Sequence, residues 1–179
     1  MKWLWVVIVI VLLFIIAWLT PPYSFGSDSD GLPMGLRYGI SKTQVSKQLL
    51  KLKNHRYADF GTELDYVFDD PDSAEFTLLS VGFDTNDKLI SVEARRCAMG
   101  LERYEEYVAG IRSDMERWKY GGATVAIEDD EYGNYLLKNT NSCIWIFLPP
   151  PRPSQMEWPG TLMVWIIFEQ RAHCDEGDK

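Results

Sequence analysis

From Trp3 to Leu19 the chain carries no charged residue, and nearly every side chain is Trp, Val, Ile, Leu or Phe. At a helical rise of about 1.5 Å per residue this run extends roughly 25 Å, near the lower limit for crossing a hydrocarbon core of about 30 Å. Trp3, Trp5 and Trp18 lie at its two ends, where indole rings favour the headgroup zone. Lys2 supplies a positive flank and Thr20-Pro21-Pro22 stops the helix. The run therefore reads as a transmembrane anchor over residues 1–20. That predicts a single pass through the inner, cytoplasmic membrane with the C-terminal part in the periplasm or outside. A cleaved signal peptide is the alternative, because Ser24-Phe25-Gly26 offers small residues to a signal peptidase. The apolar run exceeds the roughly 7–15 residues of a signal h-region and is flanked by bulky Trp, which favours the anchor. No Cys directly follows it, so a bacterial lipoprotein anchor is not available.

Residues 21–31, rich in Ser, Asp and Gly, read as a flexible tether, and 32–179 as one extracytoplasmic domain with a hydrophobic core of its own. The net charge of −8 argues against nucleic acid and anionic headgroups as partners of that domain and suits protein partners or basic ligands. In an exported domain the three cysteines, Cys97, Cys143 and Cys174, allow one disulfide with one thiol left over. The pairing is open, and three buried small apolar side chains are the alternative.

Ser41-Lys42-Thr43-Gln44 has the form of a capping box. Ile40 and Val45 are placed as a hydrophobic staple across it, and Val45, Leu49 and Leu52 follow at helical spacing. Lys53-Asn54-His55-Arg56 reads as a polar turn. Leu64, Tyr66 and Phe68 then alternate with more polar residues, which predicts a strand, and Glu75 to Phe83 and Lys88 to Arg95 predict a hairpin around Asp84-Thr85-Asn86-Asp87. Leu101 to Trp118 restores the helical period, placing Tyr104, Tyr107, Val108, Ile111, Met115 and Trp118 on one face. Strands are expected at Ala123 to Glu128, Tyr132 to Asn139, Ser142 to Leu148 and Thr161 to Gln170, the last two separated by a proline-rich loop. The fold class is thus α+β: a transmembrane helix followed by an ectodomain built from two helix-plus-antiparallel-sheet units.

Leu36-Arg37-Tyr38-Gly39-Ile40-Ser41-Lys42-Thr43-Gln44-Val45, followed by Val81-Gly82-Phe83-Asp84-Thr85-Asn86-Asp87-Lys88-Leu89, resembles the SmpA/OmlA family of envelope lipoproteins over the first half of the domain. In that family a Gly, a Ser or Thr cap and a Val open the helix, and a Phe-Asp turn precedes a Lys-Leu strand. The tandem helix-plus-sheet order is similar to β-lactamase inhibitor proteins. The resemblance implies a membrane-anchored binding or assembly module of the bacterial envelope. The alternative it leaves open is an inhibitor or immunity protein that blocks an exported toxin or hydrolase.

Catalysis is not expected. Only two histidines are present, His55 and His173, and no Gly-x-Ser-x-Gly, phosphate-binding Gly-rich loop or His-Glu-x-x-His occurs. His173-Cys174-Asp175 and Asp69, Asp70 and Asp72 lack ligand spacing, so neither a metal nor a cofactor is assigned. The most specific expectation concerns the last two strands, which are apolar on both faces. Ile144, Ile146, Leu148, Leu162, Val164, Ile166 and Phe168 are assigned to the core beneath the helices. Opposite them lie Trp145, Phe147, Met163, Trp165 and Ile167, residue types that dominate interface hot spots, and these are the candidate partner-binding residues. The competing reading is that the proline loop, with Trp158 packed inward, covers this second face.

Overall fold

The computed structural model describes residues 32–52, 55–68, 76–129, 131–151 and 162–174. A short 3-10 turn, Pro33–Gly35, leads into helix α1 (Lys42–Leu49) and strands β1 (His55–Asp59), β2 (Glu63–Phe68), β3 (Leu78–Phe83) and β4 (Leu89–Met99). Helix α2 (Leu101–Tyr120) opens the second half. Strands β5 (Thr124–Asp129), β6 (Asn134–Lys138), β7 (Ser142–Phe147) and β8 (Leu162–Gln170) follow, and one helical turn, α3 (Arg171–Cys174), comes last.

The capping box forms as its residues dictate. The Ser41 hydroxyl accepts from the Gln44 backbone N–H, and the Ser41 N–H donates to Gln44 Oε1 at 2.9 Å. Lys42 Nζ then donates to Asp59 Oδ1 and Gly61 O, both at 2.6 Å, tying the first turn of α1 to the β1–β2 hairpin. The stretch before the cap runs along the β3–β4 hairpin, with Gly39 N–H donating to Leu89 O and Leu89 N–H to Ile40 O.

Among the described residues the eight strands form one antiparallel sheet in the order β1-β2-β3-β4-β8-β7-β6-β5. The two halves meet where β4 pairs with β8, from Ser91 opposite Glu169 to Met99 opposite Leu162. Strand alternation sends Leu64, Tyr66, Leu79, Val81, Val92, Ala94, Ile144, Ile146, Val164, Ile166 and Phe168 to one face, where they are buried. Both longer helices cover that face and share its core: Val45 and Leu49 from α1, and Tyr104, Tyr107, Ile111 and Met115 from α2, are buried in it. Trp118 of α2 meets the Phe168 ring edge-on at 5.9 Å.

Three expectations are corrected here. The fold is not an α+β pair of helix-and-sheet units behind a membrane helix: a single eight-stranded antiparallel sheet dominates, because the direct β4–β8 ladder merges the two meanders. Among the described residues no helix is long and apolar enough to cross a membrane. Helix α2 has the length, but Glu102, Arg103, Glu105, Glu106, Arg112, Asp114, Glu116, Arg117 and Lys119 give it nine charged residues. The predicted single-pass inner-membrane anchor therefore has no counterpart among the described residues, and the run assigned to it, Trp3–Leu19, lies outside them. Finally, His55 and Arg56, expected in a polar turn, begin a strand. Four of the five β1 residues are exposed, so the strand lacks the apolar alternation that marks half-buried ones. The acidic turn at 69–75 and the loop at 152–161 also lie outside the described residues.

Candidate functional site

The face of the sheet turned away from α1 and α2 brings the predicted partner-binding residues together. Trp145 stands opposite Ile167 and Phe147 opposite Trp165 across the β7–β8 ladder, with Met163 next along β8. The Phe147 and Trp165 ring centroids are 4.9 Å apart. Four of the five side chains are half-buried, and Met163 is 36% exposed. The core-side set assigned from the same strands, from Ile144 to Phe168, is buried throughout.

Neighbouring strands add residues that the linear pattern did not assign to this patch. Arg95 of β4 lies opposite Trp165, and its guanidinium carbon sits 4.6 Å from the indole centroid, within cation–π range. Arg95 Nε also donates to Glu93, which faces Ile167, so the cation is held between a carboxylate and a ring. On the other side, Leu136 of β6 faces Trp145 and is buried. Further along the face, Ser80 donates its hydroxyl proton to Asp65. Arg95 could be found from its parity in the predicted third strand, but only the β4–β8 pairing places it beside Trp165.

The cysteines bound this face. Cys143 has the parity of Trp145 and Phe147 and is joined to Cys174 of α3, with 6.4 Å between the Cα atoms, which fixes the turn after β8 against that end of the sheet. Cys97 is the free thiol and is half-buried. Cys174 is thereby committed to sulfur, and among the described residues no group of three or more His, Cys, Asp or Glu side chains could hold a metal ion. Asp69, Asp70 and Asp72 lie outside the described residues. The His55 ring lies tilted beside Tyr66 and Phe68, with centroids 5.5 and 6.2 Å away, on the helix-bearing side.

Electrostatic perturbations fall elsewhere. The Lys42 ammonium, and behind it the Gly61 N–H, hold the Asp59 carboxyl below its ordinary range. Backbone N–H groups of Lys88 and Asn86 do the same for Asp84 in the β3–β4 turn. Burial raises the Tyr66 and Tyr104 hydroxyls, and Tyr104 donates to Pro149 O at 2.6 Å. These shifts arise from turn hydrogen bonds, one ion pair and burial in the core. A cleft of about 230 Å³ between α2 and the β5–β6 hairpin is lined by Arg112, Met115, Glu116, Lys119, Glu128 and Tyr135. It is smaller than the roughly 300–1,000 Å³ of ligand pockets, and Lys119 is already paired with Glu116 at 2.9 Å.

No family model, no curated protein and no solved structure matches this chain. The likeness to SmpA/OmlA lipoproteins therefore rests on the quoted residues alone.

Proposed function

We propose that this chain is a non-enzymatic protein-binding module whose partner docks on the sheet face around Trp165. The observation that carries the reading is the contiguity of Trp145, Phe147, Met163, Trp165 and Ile167, five large apolar side chains on the face that the helices leave uncovered. Aromatic and Met side chains with an adjacent Arg are the composition of interface centres, since they bury much area with few rotors. The stacked Arg95 is held in place before binding, which lowers the entropy lost on docking. Glu93, Asp65 and Glu169 lie on the same face. With the acidic chain as a whole, they select a partner that presents an apolar tip flanked by Lys or Arg. An inhibitor of an exported hydrolase or toxin would use the same surface, with the basic rim supplied by its target. The Cys143–Cys174 bridge suits an oxidising compartment.

The test places a photo-crosslinking residue at Met163 and, as a control, at Tyr120, which is 97% exposed on the helix side. A discrete adduct from position 163 alone, abolished by Trp145→Asp, is the expected result. Thermal stability reads the alternative. Trp165→Ala leaves it nearly unchanged if a partner covers this face, whereas a loss of about 3–5 kcal/mol, typical of a buried aromatic, means that the chain covers it itself and removes the face from consideration.

A further inference from the structure

The free edge of β1 carries the pattern of a strand that pairs with itself. Phe60 N–H donates to Glu63 O at 2.9 Å and closes the β1–β2 hairpin. Antiparallel alternation from that bond turns the backbone groups of Arg56 and Ala58 toward β2 and those of His55, Tyr57 and Asp59 outward. β1 stands at the end of the sheet, so those outward groups meet no further strand among the described residues.

We propose that two copies of this chain join β1 to β1, antiparallel, about a two-fold axis passing at Tyr57. The register follows from the sequence His55-Arg56-Tyr57-Ala58-Asp59. With Tyr57 opposite Tyr57 of the second copy, His55 faces Asp59 and Arg56 faces Ala58. No like charges oppose each other, which is the condition a homotypic strand pair must meet. The residues whose N–H and C=O point outward, His55, Tyr57 and Asp59, are the ones this register makes hydrogen-bonded pairs, so each outward donor finds an acceptor. Tyr57 and Phe60 are 57% and 65% exposed and lie at this edge, supplying apolar area beside the new ladder. The opposite edge does not offer the same surface. In β5 the register breaks between Val125 and Ile127, and a bulge of this kind twists an edge away from further pairing. This assembly is separate from the Trp165 face and stands or falls independently of it.

The test uses the full chain with Cys97→Ser, so that the remaining native cysteines are the bridged pair. Tyr57→Cys in that background gives an interchain disulfide on mild oxidation, because a hydrogen-bonded antiparallel pair holds its Cα atoms about 5.5 Å apart, inside the roughly 4.4–6.8 Å a disulfide accepts. Phe60→Cys gives none despite its greater exposure, since three residues from the axis the two copies are roughly 20 Å apart. In sedimentation velocity, Tyr57→Lys sets two ammonium groups against each other and raises the dimer dissociation constant by about tenfold or more. At concentrations where the wild type is monomeric the melting temperature changes little, because the substitution leaves the β1–β2 backbone ladder in place and removes only the contact of the exposed Tyr57 ring with Tyr66. Equal cross-linking at 57 and 60, absence of a cross-link at 57, or association unaffected by Tyr57→Lys overturns the proposal.

Discussion

Gly133 shows how one position can depend on the absence of a side chain. Its φ is +69°, and a Cβ there would lie 1.9 Å from the carbonyl oxygen of Leu148, whose own N–H donates to Gly133 O at 2.7 Å. Gly133→Ala therefore meets both a strained backbone and backbone atoms that cannot swing aside. A loss of at least about 2 kcal/mol in denaturant unfolding is expected, and a near-neutral result would mean that the β6 entry relaxes. Asp59 and Asp84 act through charge instead. Both carboxyls titrate below their unfolded value in the folded chain, so their contribution is complete above the unfolded carboxylate range near pH ~3.9. It fades as pH falls through the lower folded values. The wild type should lose thermal stability on acidification in that window, and Asp84→Asn should flatten the decline. An unchanged acid slope in the variant would show that the Asp84 turn does not couple to folding.

Among the elements, α1 was the most legible because its start is encoded locally. Ser41 and Gln44 satisfy each other's backbone donors without help from the rest of the fold. Ser41→Ala should cost about 1 kcal/mol, read as a lower midpoint in urea, and a null effect would assign the start of α1 to the Ile40–Leu89 pairing instead. The apolar face of α2 was equally plain, since Tyr104, Tyr107, Ile111 and Met115 repeat at helical spacing and all four are buried. β1 was not legible. Its residues are mostly exposed and include His, Arg and Asp, so no alternation marks it, and its strand conformation is set by the ladder it shares with β2. In β7 and β8 the parity of Ile144 and Phe168 is buried, as the alternation predicts, while Trp145, Phe147, Trp165 and Ile167 are half-buried; Cys143 shares their parity but is buried at the disulfide.

At the scale of the whole molecule, the Cys143–Cys174 bridge closes a separation of 31 residues and ties the end of the chain to β7. Cys174→Ser should lower stability by roughly 3–4 kcal/mol on the chain-entropy account, measured under non-reducing conditions, and the same loss should follow reduction of the wild type. If reduction leaves the melting temperature unchanged, the bridge serves only to place α3. Three cysteines in the sequence admitted any pairing, because loop-closure entropy varies too slowly with length to choose among them. The same limit governed the architecture. Local pattern determined which residues cap, which face of a helix is apolar and which side of a strand can enter a core, since each depends on neighbours within a few positions. The merging of two meanders into one sheet depended on β4 meeting β8, a contact between segments far apart in the chain. Only that pairing set Arg95 over Trp165, and only the stacking of α1 and α2 on one side left the Trp145–Trp165 face uncovered by helices. Strand order is decided by which apolar surfaces find each other in the collapsed chain, and a one-dimensional pattern carries no record of that choice.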